Sequence, residues 1–163
     1  MARTVIVLNN PTLKLADTEA GLTTGTAFEC QITSAALTAS ANYQTIPATG
    51  CAPQAQSPGR TSWALDVAWL QDWTAPAASS LSQYAYENDG LPKWFEFVAD
   101  SVGAPAVKAT GQCYMAAGSY GGTFGDGSAA TATSQWPCVD TPDIVGAVTA
   151  AAGTSSGGES AAA

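Results

Sequence analysis

The chain has 163 residues and a formal net charge of −8, from 13 Asp and Glu against 5 Lys and Arg, and it contains no histidine. That balance excludes a sequence-reading nucleic-acid binder, which needs a basic footprint, and the missing imidazole excludes Ser-His-Asp and Cys-His hydrolases and most catalytic zinc centres. Charged residues make up 11% of the chain, under half of the roughly one quarter usual for a soluble domain, so much of the surface is expected to be hidden by neighbours.

Strand signals dominate from the start. Arg3 to Leu8 is a β-branched run that reads as a first strand; its apolar part, Val5 to Leu8, is too short for a membrane span or a signal peptide, which predicts a protein folded in the cytoplasm. Residues 10–25, with Pro11, Gly21 and Gly25, read as a loop or arm. Phe28, Cys30 and Ile32 alternate with Glu29, Gln31 and Thr33 as a half-buried strand. Tyr43 to Thr49, a weaker strand interrupted by Pro47, suits an edge or an arm, and Gln54 to Arg60 reads as a loop because of Pro53, Pro58 and Gly59. In Thr61 to Trp73, Trp63, Leu65, Val67 and Trp69 share one face, which is assigned to the core.

The spacing then predicts one helix over about Leu81 to Asp89. Ser80 and Gln83 fit a capping box, Leu81, Tyr84, Ala85 and Asn88 form one face, and Gly90 and Pro92 end it. Lys93 to Ala99 is a strand with Phe95 and Phe97 on one face and Trp94, Glu96 and Val98 on the other. Val107 to Ala117 and Ser128 to Cys138 read as the arms of one hairpin; a turn at Gly125-Asp126 sets Cys113 opposite Cys138 and Met115 opposite Trp136. Beyond Pro142 the composition is that of a flexible Ala/Gly/Ser tail.

The chemical motifs are thin. Ala117-Gly118-Ser119-Tyr120-Gly121 is close to a nucleophile elbow, but there is no histidine base and no helix signal after it, so Ser119 reads as a loop serine. The glycines from Gly118 to Gly127 match no phosphate-cradling pattern. Cys30, Cys51, Cys113 and Cys138 form no C-x-x-C pair, so neither zinc nor thioredoxin-type chemistry is indicated. They read either as small buried hydrophobes or, if bridges form, as the pairs Cys30–Cys51 and Cys113–Cys138 that sequence order and hairpin register favour. Of the tryptophans, Trp63 and Trp69 read as core, while Trp73, Trp94 and Trp136 remain interface candidates. No catalytic residue, cofactor site or metal site is expected.

The order of features resembles a known family. Phe28-Glu29-Cys30-Gln31-Ile32-Thr33-Ser34-Ala35 leads through Asn42 to Ile46-Pro47-Ala48-Thr49-Gly50-Cys51. Trp69-Leu70-Gln71-Asp72-Trp73, the helix, Tyr86-Glu87-Asn88-Asp89-Gly90, a Gly-rich hairpin, Trp136-Pro137 and a Pro-Asp turn follow. Over roughly residues 25–145 this layout is similar to the major tail protein, or tail tube protein, of long-tailed, siphovirus-type phages of actinobacteria. The resemblance implies a mainly-β fold of two packed antiparallel sheets, a sandwich or partly closed barrel with one short flanking helix. It implies an N-terminal strand and arm over 1–25, a tail-tube domain over 26–142 and a C-terminal tail over 143–163. It further implies a virion protein, assembled in the host cytoplasm, whose hexameric rings stack into a tube. Its partners would be a tape-measure protein, a tail terminator and double-stranded DNA in transit without sequence-specific binding, with no membrane.

By analogy, Ala39 to Arg60 and Asn10 to Gly25 are candidates for contacts between rings. Leu81, Tyr84, Trp94 and Trp73 are candidates for subunit interfaces. The polar hairpin face (Lys108, Thr110, Gln112, Thr131, Thr133 and Gln135) either lines the lumen or faces outward. A net negative wall suits a conduit that must not hold DNA, although salt screens the repulsion beyond about 8 Å. Two other classes stay open: a secreted carbohydrate-binding or adhesin-type β-sandwich module, supported by the five tryptophans, and another virion component such as a tail terminator or capsid decoration protein.

Overall fold

The computed structural model describes residues 11–28, 31–51, 54–99, 107–122 and 129–146. The strand expected over Arg3 to Leu8, Cys30, the Gly125-Asp126 turn and all but the first four residues of the tail expected over 143–163 lie outside these segments. The chain is mainly β, with strands β1 (Thr12–Ala16), β2 (Thr26–Ala27), β3 (Ile32–Ile46), β4 (Ala55–Leu70), β5 (Pro92–Val98), β6 (Lys108–Tyr114), β7 (Thr131–Pro137) and β8 (Asp143–Val145), and one helix, α1 (Leu81–Glu87). The strands form two antiparallel sheets, ordered β2-β1-β5-β6-β8 and β3-β4-β7. They pack as a sandwich and do not close into a barrel.

Period-2 alternation builds the core. In the larger sheet the row Leu13–Phe97–Ala109–Ile144 and the row Leu15–Phe95–Gly111 face inward, and Lys14–Glu96–Thr110–Asp143 faces away. Leu65, Val67 and Trp69 of β4 with Ala132 and Trp136 of β7 supply the opposing layer, all of them buried. Trp69 and Trp136 meet with centroids 6.1 Å apart, each with its indole N–H satisfied: Trp69 Nε1 donates to Ser82 Oγ at 3.0 Å and Trp136 Nε1 to the Ala116 carbonyl at 2.9 Å.

The helix starts where expected and ends slightly early. Ser80 is its N-cap, with Oγ accepting from the Gln83 amide at 3.3 Å. The other half of the capping box does not form, because Gln83 Nε2 donates to Glu87 Oε1 at 2.8 Å instead. A second cap comes from outside the helix: the Leu81 amide donates to Gln31 Oε1 at 2.7 Å, a bond no local pattern announces. Gly90, at φ 75°, follows the C-terminus. Leu81 and Ala85 point into the core between the sheets.

Five expectations change. Trp63, assigned to the core, is only partly buried and stands outside the core cluster, because it lies just beyond the stretch of β4 that β7 flanks. The tail expected from residue 143 begins instead with β8, paired to β6. Residues 10–25, read as a loop or arm, contain β1, a 3-10 turn (Ala20–Thr23) and the approach to β2; Pro11, Gly21 and Gly25 mask a five-residue strand whose Leu13 and Leu15 are core. Gln54 to Arg60, read as a loop, mostly continues β4. The hairpin expected from Val107–Ala117 and Ser128–Cys138 does not form: β6 lies between β5 and β8, whereas β7 adds to β4. Both segments carry their apolar residues on one face, and that pattern fixes which side is buried but not which strand becomes the neighbour. The two arms share no ladder; the Ser134 hydroxyl and the Trp136 indole donate to the Ala116 carbonyl, and a single bridge joins their backbones. Cys138, just after β7, sits opposite Cys113 in an isolated antiparallel bridge, and the chain then turns to place β8 against β6.

Candidate assembly surface

The most conspicuous feature is a ribbon with no second layer. β7 flanks β4 only over Ala64–Leu70, so beyond the contacts of Trp63 with Cys138 and of Arg60 with Asp140 the distal halves of the β3–β4 hairpin, paired from Ala39↔Trp63 to Ile46↔Ala55, have only each other among the described residues. At about 3.3 Å per residue the eight residues from Ala39 to Ile46 reach roughly 25 Å. Every described residue from Thr38 to Cys51 is exposed, Tyr43 and Ile46 by 63% and 51%. A two-stranded ribbon without an apolar layer is marginally stable in water, and its open edges invite pairing. Its composition is small and polar, with Arg60 as its one described charge, paired to Asp140 at 3.1 Å. The pattern that marks it in the sequence is the length of the run from Ile32 to Ile46, free of Gly and Pro.

The interface candidates separate. Leu81 is fully buried in its own core and cannot meet a neighbouring subunit. Tyr84 is half-buried, packed on Phe28 at 5.4 Å with Lys93 Nζ 5.8 Å above its ring; its hydroxyl pKa is raised by burial and by the nearby Asp17 charge. Trp94 and Trp73 are partly exposed and remain available. Trp136 is buried and belongs to the core.

The six polar residues expected on one hairpin face do not share a face. Lys108, Thr110 and Gln112 are on the outer side of the five-stranded sheet, while Thr131, Thr133 and Gln135 are on β7 at the edge of the three-stranded sheet. With the two sheets packed core to core, these sets look in opposite directions, so one wall cannot contain both. β7's set adjoins Asp66, whose carboxylate accepts from Gln135 Nε2 at 2.7 Å and from Thr38 Oγ1 at 2.5 Å.

Each of the four described basic side chains sits in an ion pair: Lys14 and Lys108 with Glu96, Arg60 with Asp140, and Lys93 with Asp17. The described carboxylates outside these pairs are Glu19, Asp66, Asp72, Glu87, Asp89 and Asp143, in loops, the helix, β4 and the β8 edge. Glu96 is bracketed by Lys14 at 3.4 Å and Lys108 at 2.5 Å. Burial pushes its pKa up, but hydrogen bonding and charge from Lys108, with the Lys14 charge, outweigh that and hold it below the usual value. A depressed folded pKa contributes stability that is present above the unfolded pKa, about 4.3, and lost as pH falls through the folded value. Glu96→Gln is thus expected to cost about 1 kcal/mol at neutral pH, a difference that shrinks in urea melts repeated below pH 4.

An exposed aromatic cluster lies near α1. Trp73 packs against Tyr86 at 6.1 Å and Tyr120 at 5.3 Å, with ring planes at 73° and 78°. Gln71 fixes the cluster by donating from Nε2 to the Gly121 and Thr131 carbonyls at 2.8 and 2.9 Å, and by accepting at Oε1 from Trp73 Nε1 at 3.2 Å. Ser119 lies on exposed irregular chain in the same loop. Gly118, beside it, is required by packing: a Cβ there would lie 2.6 Å from the Trp69 ring.

Among the described residues there is no group of three or more Cys, Asp or Glu placed to hold a metal ion, and no helix is long and apolar enough to cross a membrane. Neither a comparison with protein families nor one with curated proteins returns a match to this chain. The fold defines the class plainly: a mainly-β protein of two antiparallel sheets with one short helix.

Proposed function

We propose that this chain is a structural subunit that self-assembles into stacked hexameric rings, forming the tail tube through which a siphovirus-type phage delivers DNA. The observation that carries this reading is the β3–β4 ribbon, a projection of roughly 25 Å with exposed Tyr43 and Ile46 and, among the described residues, no covering layer. A second copy in the next ring is the natural occupant, because identical subunits arranged around an axis offer the same complementary surface at every position. Among the described residues β3 and β7 have no strand on their outer edges, which would offer ladder hydrogen bonds for a neighbouring subunit to complete. A surplus of carboxylates, with the described cations already paired, suits a wall that repels phosphate.

The test is direct. Concentrated protein, alone or expressed with a tape-measure protein, is expected to form hollow tubes in negative-stain electron microscopy. A second reading, a carbohydrate-binding module, draws on the exposed Trp73, Tyr86 and Tyr120 cluster. A protein that stays monomeric under those conditions and binds a polysaccharide, with binding lost in Tyr120→Ala, would favour it over the tube.

A further inference from the structure

We infer that Cys113 and Cys138 form an intramolecular disulfide when the folded protein meets a small-molecule disulfide, and that this bond ties the two sheets together at one corner. The inference is independent of the assembly reading.

Backbone geometry supplies the first argument. The two cysteines face each other in an isolated antiparallel bridge. The bond beside them runs from the Val139 amide to the Gln112 carbonyl at 2.8 Å, and the Cys138 amide is spent elsewhere, on the Trp63 carbonyl at 2.8 Å. That makes Cys113 and Cys138 a non-hydrogen-bonded pair, the kind in which opposed Cα atoms come closest, about 4.5 Å. The separation falls within the roughly 4.4–6.8 Å that disulfides span. Directly opposed residues project to the same side, and both side chains belong to the core cluster, Cys113 fully buried and Cys138 packed against it.

Unequal exposure gives the order of steps. Cys138 is half-exposed and can reach a reagent; Cys113 cannot. With oxidised glutathione, the Cys138 thiolate attacks one sulfur, the glutathione S–S bond breaks, and one glutathione thiolate leaves. Cys113 then loses its proton to solvent and attacks Cys138 Sγ, releasing the second glutathione. Two protein thiols are oxidised, one glutathione disulfide is reduced, and the two released thiolates take up the two protons. Burial raises the Cys138 thiol to about 11, and burial with the Cys138 charge raises Cys113 to about 12. Oxidation is therefore slow at neutral pH and speeds up about tenfold per pH unit while the pH stays well below those values.

The experiment uses the full chain carrying Cys30→Ser and Cys51→Ser, so that only this pair can react, and the wild type beside it to verify that the variant melts normally. After incubation of native protein with oxidised glutathione and alkylation, mass spectrometry is expected to show loss of two hydrogens and one linked peptide pair joining Cys113 to Cys138. The bond closes a loop of about 25 residues, so the melting temperature should rise by about 5–10 °C and fall back on reduction. A stable glutathione adduct left on Cys138, or a cross-link that forms only in urea, overturns the inference. No reaction of the native protein even at alkaline pH overturns it as well.

Discussion

Trp69→Ala is expected to destabilise the domain by about 3–5 kcal/mol, the range for removing a large aromatic side chain from a core. Trp69 is fully buried in the middle strand of its sheet, paired with Ile32 on one side and Ala132 on the other. Its ring packs on Trp136, and Gly118 lies against its far edge with no room for a Cβ. Truncation therefore leaves a cavity walled by a loop and a second indole. It also removes the 3.0 Å bond from Nε1 to Ser82 Oγ, which helps hold α1 to the sheet. Trp69→Phe separates the two effects: most apolar surface is kept, and the loss should be nearer the roughly 1–2 kcal/mol of one lost bond to the buried Ser82 hydroxyl, which still accepts from the Asp72 amide at 3.4 Å, and a smaller ring. Urea melts with unchanged m-values check both. A loss below about 1 kcal/mol for the alanine variant would mean that the two-indole layer is not the centre of the core.

Trp69 also shows what the sequence could reveal. Alternation from Trp63 to Trp69 is unbroken, and residue type and period alone identify the buried side at Leu65, Val67 and Trp69, but not that Trp63, on the same side, lies past the end of the core. Ser80 and Gly90 bracket α1 because caps are local chemistry. Whatever depends on a distant partner is not legible in this way. Gln31 caps a helix that begins 50 positions later, and β7 selects β4 as its neighbour although β6 has an equally suitable apolar face. Pro11, Gly21 and Gly25 read as loop punctuation and hide the strand that carries Leu13 and Leu15. Pro58-Gly59 signalled a loop, yet the ladder absorbs it: the register shifts between Ala41 and Tyr43, a bulge that accommodates the extra residue. The same limit applies to the candidate site. Six polar residues of suitable type were legible, but the two sheets that carry them were not.

Shortening the ribbon should separate assembly from folding. Residues 42–60 replaced by Asn-Gly would join Ala41 to Thr61, which already pair across the ladder. Every large fully buried side chain lies outside the deleted segment, and the salt bridge it removes, Arg60 to Asp140, is between side chains exposed by 82% and 78%. Exposed pairs contribute little, so the melting temperature of the shortened protein is expected to stay within about 2 °C of the wild type. Assembly should be abolished: no tubes under conditions where the full chain makes them, and a monomer in sedimentation velocity. Gly59→Val is a gentler form of the same experiment. A Cβ at Gly59 would lie 2.3 Å from the Asn42 carbonyl oxygen, so the bulge must open and the ribbon tip swings away while the core stays as it is. Tube yield should fall sharply with far-UV circular dichroism unchanged. If the shortened chain still polymerises with wild-type yield, the ribbon is an ornament and the contact between copies lies at the outer edges of β3 and β7. If it unfolds instead, the ribbon belongs to the domain and the marginal stability expected of a lone two-stranded ladder is the premise that fails.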